Sequence, residues 1–237
     1  MNRLKKYVRL IVVALISLTL VCTGVFNSRN SSAADGYWLW GGKTFQDIPA
    51  SKLVYVFQGT ISTIDGEPDF LHQGVYPHPV SNKLVLVFRF ETLDHSRQLI
   101  DLMQNIAWQW ESHGVSVLGI QLDYDSPSSK LLSYSNVLYE IRQKLERRYF
   151  LSVTGLGDWL FSADKKALYS LFDSVDEVVF QLYRGYHYEP LDDYLKALHQ
   201  LPFKFKLGLL KDHQDNERIM GLISNLNELK GLVYFII

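Results

Sequence analysis

The sequence predicts an α/β fold, a reduced (β/α)8 barrel that lacks some of its helices; the alternative is a doubly wound open parallel sheet. Three observations carry this. Eight short runs rich in β-branched and aromatic residues recur along residues 35–237, and helical periodicity fills the gaps between the later runs. In several runs the polar residues gather at the C-terminal end, where barrels of this kind carry their sites.

Taken in order, the chain begins with Arg3, Lys5, Lys6 and Arg9, followed by the uncharged run Leu10–Phe26 and the small residues Ser32-Ala33-Ala34. This pattern predicts that residues 1–34 are a secretory signal cut before Asp35. A run of 17 residues also reaches the lower limit of a membrane span, so an uncleaved anchor over residues 10–26 is the alternative. Both place the following domain outside the cytoplasm, periplasmic or secreted. The single cysteine, Cys22, lies in this segment. The rest therefore offers no disulfide, thiolate ligand or thiol nucleophile.

The first strand is expected at Tyr37–Trp40, and Thr44–Ser51 leaves room for only a turn of helix before the second, Leu53–Gln58. Ile64-Asp65-Gly66-Glu67 reads as a hairpin turn rather than a crossover helix. The third strand, Leu84–Glu91, leads to a helix over Asp94–His113, whose Leu99, Leu102, Met103 and Ile106 form one buried face, with Asp94 as its cap. Val115–Asp125 is the fourth strand, followed by a helix over Ser129–Arg148 that buries Leu138, Ile141 and Leu145. Phe150–Leu156 and Val175–Tyr183 are the fifth and sixth strands, and Ser162 caps the helix Ser162–Ser174 between them. The pattern closes with helix Leu191–Leu201, strand Lys204–Leu210, helix Gln214–Lys230 and strand Gly231–Ile237. No second apolar segment or linker interrupts residues 35–237, which read as a single barrel domain.

Charge excludes one class of partner. The first 34 residues hold five of the 24 basic residues and none of the 25 acidic ones, which leaves the remainder at a net charge of −6. Such a surface is a poor match for a phosphate backbone, so nucleic acid is not expected. No histidine or carboxylate spacing suggests a metal, and neither a phosphate-binding glycine loop nor a Gly-x-Ser-x-Gly elbow is present. No metal and no cofactor is predicted.

Strands covered on both faces should be apolar throughout. Here alternation instead puts Gln121, Asp123 and Asp125 on one face, opposite Ile120, Leu122 and Tyr124. Arg89 and Glu91 share a face with Val85 and Val87, Gln181 and Tyr183 with Val179, and Gln58 with Val54 and Val56. Four strands thus aim polar groups inward at one end, with Arg89 and Asp123 expected within ion-pair reach. A barrel filled by paired charges would use the same residues without any function. Trp40, Trp159 and the cluster Tyr183, Tyr186, His187, Tyr188 add aromatic faces near that end, suited to the apolar faces of sugar rings.

Two resemblances bear on these residues. Gly119-Ile120-Gln121-Leu122-Asp123-Tyr124-Asp125 resembles the fourth-strand signature of family 18 glycoside hydrolases, and Gln181-Leu182-Tyr183 is similar to that family's sixth-strand segment. Leu118 and Gln121 stand where the signature has acids, and Asp125 replaces its glutamic acid. More broadly, most of residues 37–210 resembles a bacterial family of unassigned activity, domain of unknown function 3142. The matching segments are Tyr37-Trp38-Leu39-Trp40, Gly119–Asp125, Leu151–Leu156 with Trp159-Leu160, and Asp176–Gln181. The likeness implies a glycoside-hydrolase-like extracytoplasmic protein acting on an envelope or extracellular polysaccharide. In that role Asp125 would be the general acid, Asp123 its like-charged neighbour, and Tyr183 a hydrogen-bond donor to the reacting sugar. Trp40, Gln58, Arg89, Glu91, Gln121, Trp159 and Gln181 would hold the carbohydrate, and Glu91 is the alternative second carboxylate. The other expectation is a non-catalytic carbohydrate-binding or envelope-assembly protein.

Overall fold

The eight expected strands close on themselves. The computed structural model describes residues 34–93, 97–188 and 191–237, with the side chain of Arg97 left aside. The expected signal or anchor lies outside the described residues, as does Asp94, expected as a cap. Among the described residues no helix is long and apolar enough to cross a membrane.

Strand β1 (Gly36–Leu39) is joined by turns alone to β2 (Leu53–Ile64), which folds back into β3 (Glu67–His72). Next come β4 (Lys83–Phe90), helix α1 (Arg97–Ser112), β5 (Val117–Asp123), a 3-10 turn and α2 (Leu131–Lys144). The second half runs β6 (Phe150–Leu156), α3 (Trp159–Ser162), α4 (Lys165–Ser174), β7 (Glu177–Gln181) and the small hairpin β8 (Tyr183–Arg184) and β9 (His187–Tyr188). It ends with α5 (Leu191–His199), β10 (Phe205–Leu210), α6 (Asn216–Ile223) and β11 (Leu229–Ile236).

Around the barrel the order is β1, β2, β4, β5, β6, β7, β10, β11 and back to β1, every neighbour parallel. Gly36 lies opposite Val233 on one side and Leu53 on the other, so β1 closes the ring and the open-sheet alternative falls. The fold is a (β/α)8-like barrel. It is reduced where the sequence predicted, because β3 pairs antiparallel with β2 and replaces a crossover helix. Asp65 (φ 51°) and Gly66 (φ 84°) take the left-handed conformations that a two-residue hairpin turn requires. One cap differs from expectation. Ser162 ends α3, and the oxygen of Asp164 accepts from the N–H groups of Lys166 and Ala167 to start α4.

Alternation sorts the strand residues into two apolar layers. Leu84, Leu86, Ile120, Leu122, Val153, Phe180 and Leu207 face outward and pack with Met103, Trp110, Leu138, Ile141 and Leu171 of the helices. Trp38, Tyr55, Phe57, Val85, Val87, Val179, Val233 and Phe235 fill the barrel interior. Glycine makes room for the largest of these, since a Cβ on Gly208 would lie 2.6 Å from the Phe235 ring.

In β2 the predicted parity is inverted. Tyr55 and Phe57 point inside, while Val54 and Val56 pack under the helices. Gln58 keeps the parity of Val54 and Val56 and is buried with them on the helix side, accepting from Trp110 Nε1 at 3.0 Å, and the register against β4 shifts only there, between Phe57 and Gly59.

Candidate functional site

The interior carries two polar tiers. The lower one crosses the barrel, because inward positions of parallel strands converge on one axis. Trp38 Nε1 donates to Gln121 Oε1 (2.7 Å), Gln121 Nε2 to Ser152 Oγ (2.8 Å), and Ser152 Oγ to Glu177 Oε1 (2.9 Å). Tyr55 OH donates to the same carboxylate oxygen (2.7 Å), and Lys206 Nζ reaches Glu177 Oε2 at 2.6 Å and Tyr55 OH at 3.1 Å. Burial, reinforced by the Glu177 carboxylate, pushes the Tyr55 hydroxyl well above the usual phenol range. With both ends of its amide engaged, the fully buried Gln121 braces the barrel and does not reach a ligand. Glu177 and Lys206 escaped the sequence reading. Their signal was there, since Glu177 shares the parity of Val179, Gln181 and Tyr183.

The upper tier stands at the C-terminal ends of the strands. Arg89 lies opposite Asp123 in the β4–β5 pairing, and its guanidinium forks. Nη1 donates to Asp123 Oδ2 at 3.2 Å and Nη2 to Asp125 Oδ2 at 3.0 Å. Thr154 of β6 donates to Asp123 Oδ1 at 2.7 Å. The side chains of Asp123 and Asp125 are 5% and 54% exposed, so one carboxylate is sealed in and the other stands in the opening. Burial raises the Asp123 carboxyl above its ordinary value, against the lowering effects of Thr154 and Arg89.

Above this tier opens a cavity of about 650 Å³, in the size range of small-molecule sites. Trp38, Trp40 and Phe235 line it beside Arg89, Asp123, Asp125, Gln181 and Tyr183. The aromatic wall is a stack. Trp40 lies on Phe57 at 4.7 Å with planes 6° apart, Trp38 on Trp40 at 5.2 Å, and Phe235 on Trp38 at 5.2 Å. Tyr183 meets the edge of Phe235, and burial, then the Asp123 charge, pushes its hydroxyl well above the usual phenol range. Its phenol therefore keeps its proton and is a hydrogen-bond donor at the cavity wall.

The structure thus brings Trp40, Arg89, Asp123, Asp125, Gln181 and Tyr183 to one cavity. It separates three others from it. Gln58 lies on the helix side of β2. Glu91 is exposed beyond the end of β4 and does not line the cavity, so it is no second carboxylate for the pair. Trp159 is 1% exposed, packed between Tyr134 and Phe180 with Nε1 donating to the Ser126 carbonyl. It is a core residue, not a binding platform. Sequence reasoning missed Asp158 and Arg184, which also line the cavity from loop and hairpin positions where strand parity gives no guide. Among the described residues no group of three or more His, Cys, Asp or Glu is placed to hold a metal ion.

This arrangement defines a (β/α)8-like barrel with an aromatic cavity over paired strand-end charges. Comparison with known proteins agrees on the fold. A xylanase and α-amylase inhibitor protein from Scadoxus multiflorus superposes with a TM-score of 0.55 at 11% identity, over 85% of this chain and 92% of that one. A second xylanase–α-amylase inhibitor protein, solved in complex with trehalose, gives 0.52 at 11% identity, over 86% and 93%. An endo-β-N-acetylglucosaminidase from Cordyceps militaris matches more loosely, with a TM-score of 0.42 at 11% identity over 84% and 79%. Residues 80–197 match the family described as Domain of unknown function (DUF3142), a stretch that contains Arg89, Asp123, Asp125, Gln181 and Tyr183. No curated protein matches the chain.

Proposed function

We propose that this protein is an extracytoplasmic, glycoside-hydrolase-like barrel that binds a carbohydrate in the cavity at the top of the barrel and holds it without cleaving it. The carrying observation is the Arg89 fork. It commits one oxygen of Asp123 and one of Asp125 to the same guanidinium, next to a stacked aromatic wall. The fork holds one oxygen of Asp125, the candidate general acid, in an ion pair, while the stack and the Tyr183 hydroxyl offer what a sugar needs: an apolar face and a donor. The trehalose bound by one inhibitor protein of similar fold supports a sugar as ligand. The basic, apolar and small-residue order of residues 1–34 supports export.

One observation favours hydrolysis instead. Asp123 is buried and holds its proton to higher pH than an ordinary carboxyl, a property of catalytic acids. Turnover and retention separate the two. Wild type and Asp125→Asn are incubated with a panel of neutral and acidic polysaccharides, and both bound glycan and released reducing ends are measured. The binding reading expects retention by wild type and no released ends from either protein. Release by wild type that disappears in Asp125→Asn overturns it in favour of hydrolysis. A panel that shows neither retention nor release removes both.

A further inference from the structure

A second cavity of about 330 Å³ adjoins the first, and Tyr186, Phe235 and Ile237 line both. Its other walls are Ile236, Leu210 at the end of β10, and Lys211, Asp212 and His213 of the turn that follows. That turn is a built feature. Asp212 is held at φ 60°, a left-handed conformation uncommon outside glycine, while Lys211 N donates to the Phe235 carbonyl at 3.0 Å. His213 is anchored beside it by the edge-on ring of Tyr188 and by the Asp215 N–H. Between the cavities stands Tyr186. The β8–β9 hairpin turns through Gly185 at φ 58°, which holds the 69% exposed Tyr186 ring at the boundary of the two cavities.

We infer that the two cavities are one cleft for an extended saccharide, in which the second cavity takes a sugar unit linked to the unit held over Trp40, and Tyr186 is the residue that reads chain length. This rests on the carbohydrate reading above and goes beyond it by naming the ligand as a linear oligosaccharide or polysaccharide rather than a free monosaccharide. A single ring needs only the first cavity. A second hollow sharing three wall residues with it suits a ligand that continues across Tyr186. Aromatic rings suit that place because they give large contact area at little conformational cost.

The test is calorimetric titration of the full-length protein with α- and β-linked gluco-oligosaccharides of increasing length and with their N-acetylated counterparts. For the series that binds, affinity is expected to rise at least tenfold from the shortest to the longest member. Tyr186→Ala is expected to reduce that gain to less than threefold. Lys211→Trp, which fills the second cavity while keeping its backbone bond, is expected to reduce it likewise. Affinity independent of length in wild type overturns the inference but leaves the carbohydrate reading standing. So does a Tyr186→Ala loss equal for short and long ligands. No binding by any series removes the carbohydrate reading and this inference together.

Discussion

Replacing Arg89 by alanine removes the cation that holds both strand-end carboxylates, and the two arms of the fork carry different costs. Asp125 is 54% exposed, so its arm is an exposed ion pair contributing about 0.5 kcal/mol. Asp123 is 5% exposed and, among the described residues, keeps Thr154 as its donor once Arg89 is gone. A fully buried carboxylate left unpaired costs about 3–5 kcal/mol. Here Arg89 is itself 35% exposed and borders the 650 Å³ cavity, so water follows the deleted side chain. The discounted expectation is a loss of about 2 kcal/mol at neutral pH, between the exposed and the fully buried limits. The loss must depend on pH. Burial already raises Asp123 above its ordinary value in the wild type, and removing Arg89 strips away two of the effects that lower it. A native value above the unfolded one means that the stabilisation is complete below the unfolded value and is lost as pH rises through the native one. The penalty of Arg89→Ala is therefore full at neutral pH and shrinks as Asp123 takes up its proton in acid. Urea melts of wild type and Arg89→Ala at pH 7 and at pH 4.5 measure this. A neutral-pH loss no greater than that of an exposed pair, about 0.5 kcal/mol, or an equal loss at both pH values, refutes the reasoning.

Three further outcomes are expected. Lys206→Met leaves Glu177 with the Tyr55 and Ser152 hydroxyls but without its cation near the barrel floor and should lower stability by roughly 3 kcal/mol in a urea melt, with partial recovery when Glu177→Gln is added. Asp164→Ala should cost about 1 kcal/mol as a lost helix cap, whereas Ser162→Ala, at the position the sequence suggested, should stay within about 0.5 kcal/mol of wild type in the same melt. Trp40→Ala breaks the aromatic stack at the cavity wall and should weaken saccharide binding at least tenfold in titration calorimetry, with the far-ultraviolet circular dichroism unchanged.

Period-two alternation made the barrel and half of its site legible before any coordinates. It placed Arg89 with Val85 and Val87, and Asp123 opposite Leu122, and both sit where that parity puts them. The hairpin at Asp65-Gly66 was legible because its left-handed turn demands those residue types. Alternation sorts residues into two faces without naming the inner one. In β2 both faces are apolar, Val54 and Val56 on one and Tyr55 and Phe57 on the other, so alternation holds but does not say which face is inner. Parity also says nothing of residues beyond strand ends. Trp159 turns into the core under Tyr134, and Asp158 and Arg184 enter the cavity wall, as tertiary packing decides. The Tyr55–Glu177–Lys206 tier joins strands far apart in sequence, and only ring closure brings them together.

The central claim is that the cavity over Arg89, Asp123 and Asp125 holds a carbohydrate and leaves it intact. A crystal structure of the full-length protein grown with a gluco-oligosaccharide tests it most directly. The account predicts a sugar ring against the Trp40 face, within hydrogen-bond reach of Tyr183 and Asp125, its glycosidic linkage unbroken and the Arg89 fork still closed on both carboxylates. A saccharide bound elsewhere on the barrel, or a cleaved product with the Arg89–Asp125 pair opened, would contradict it.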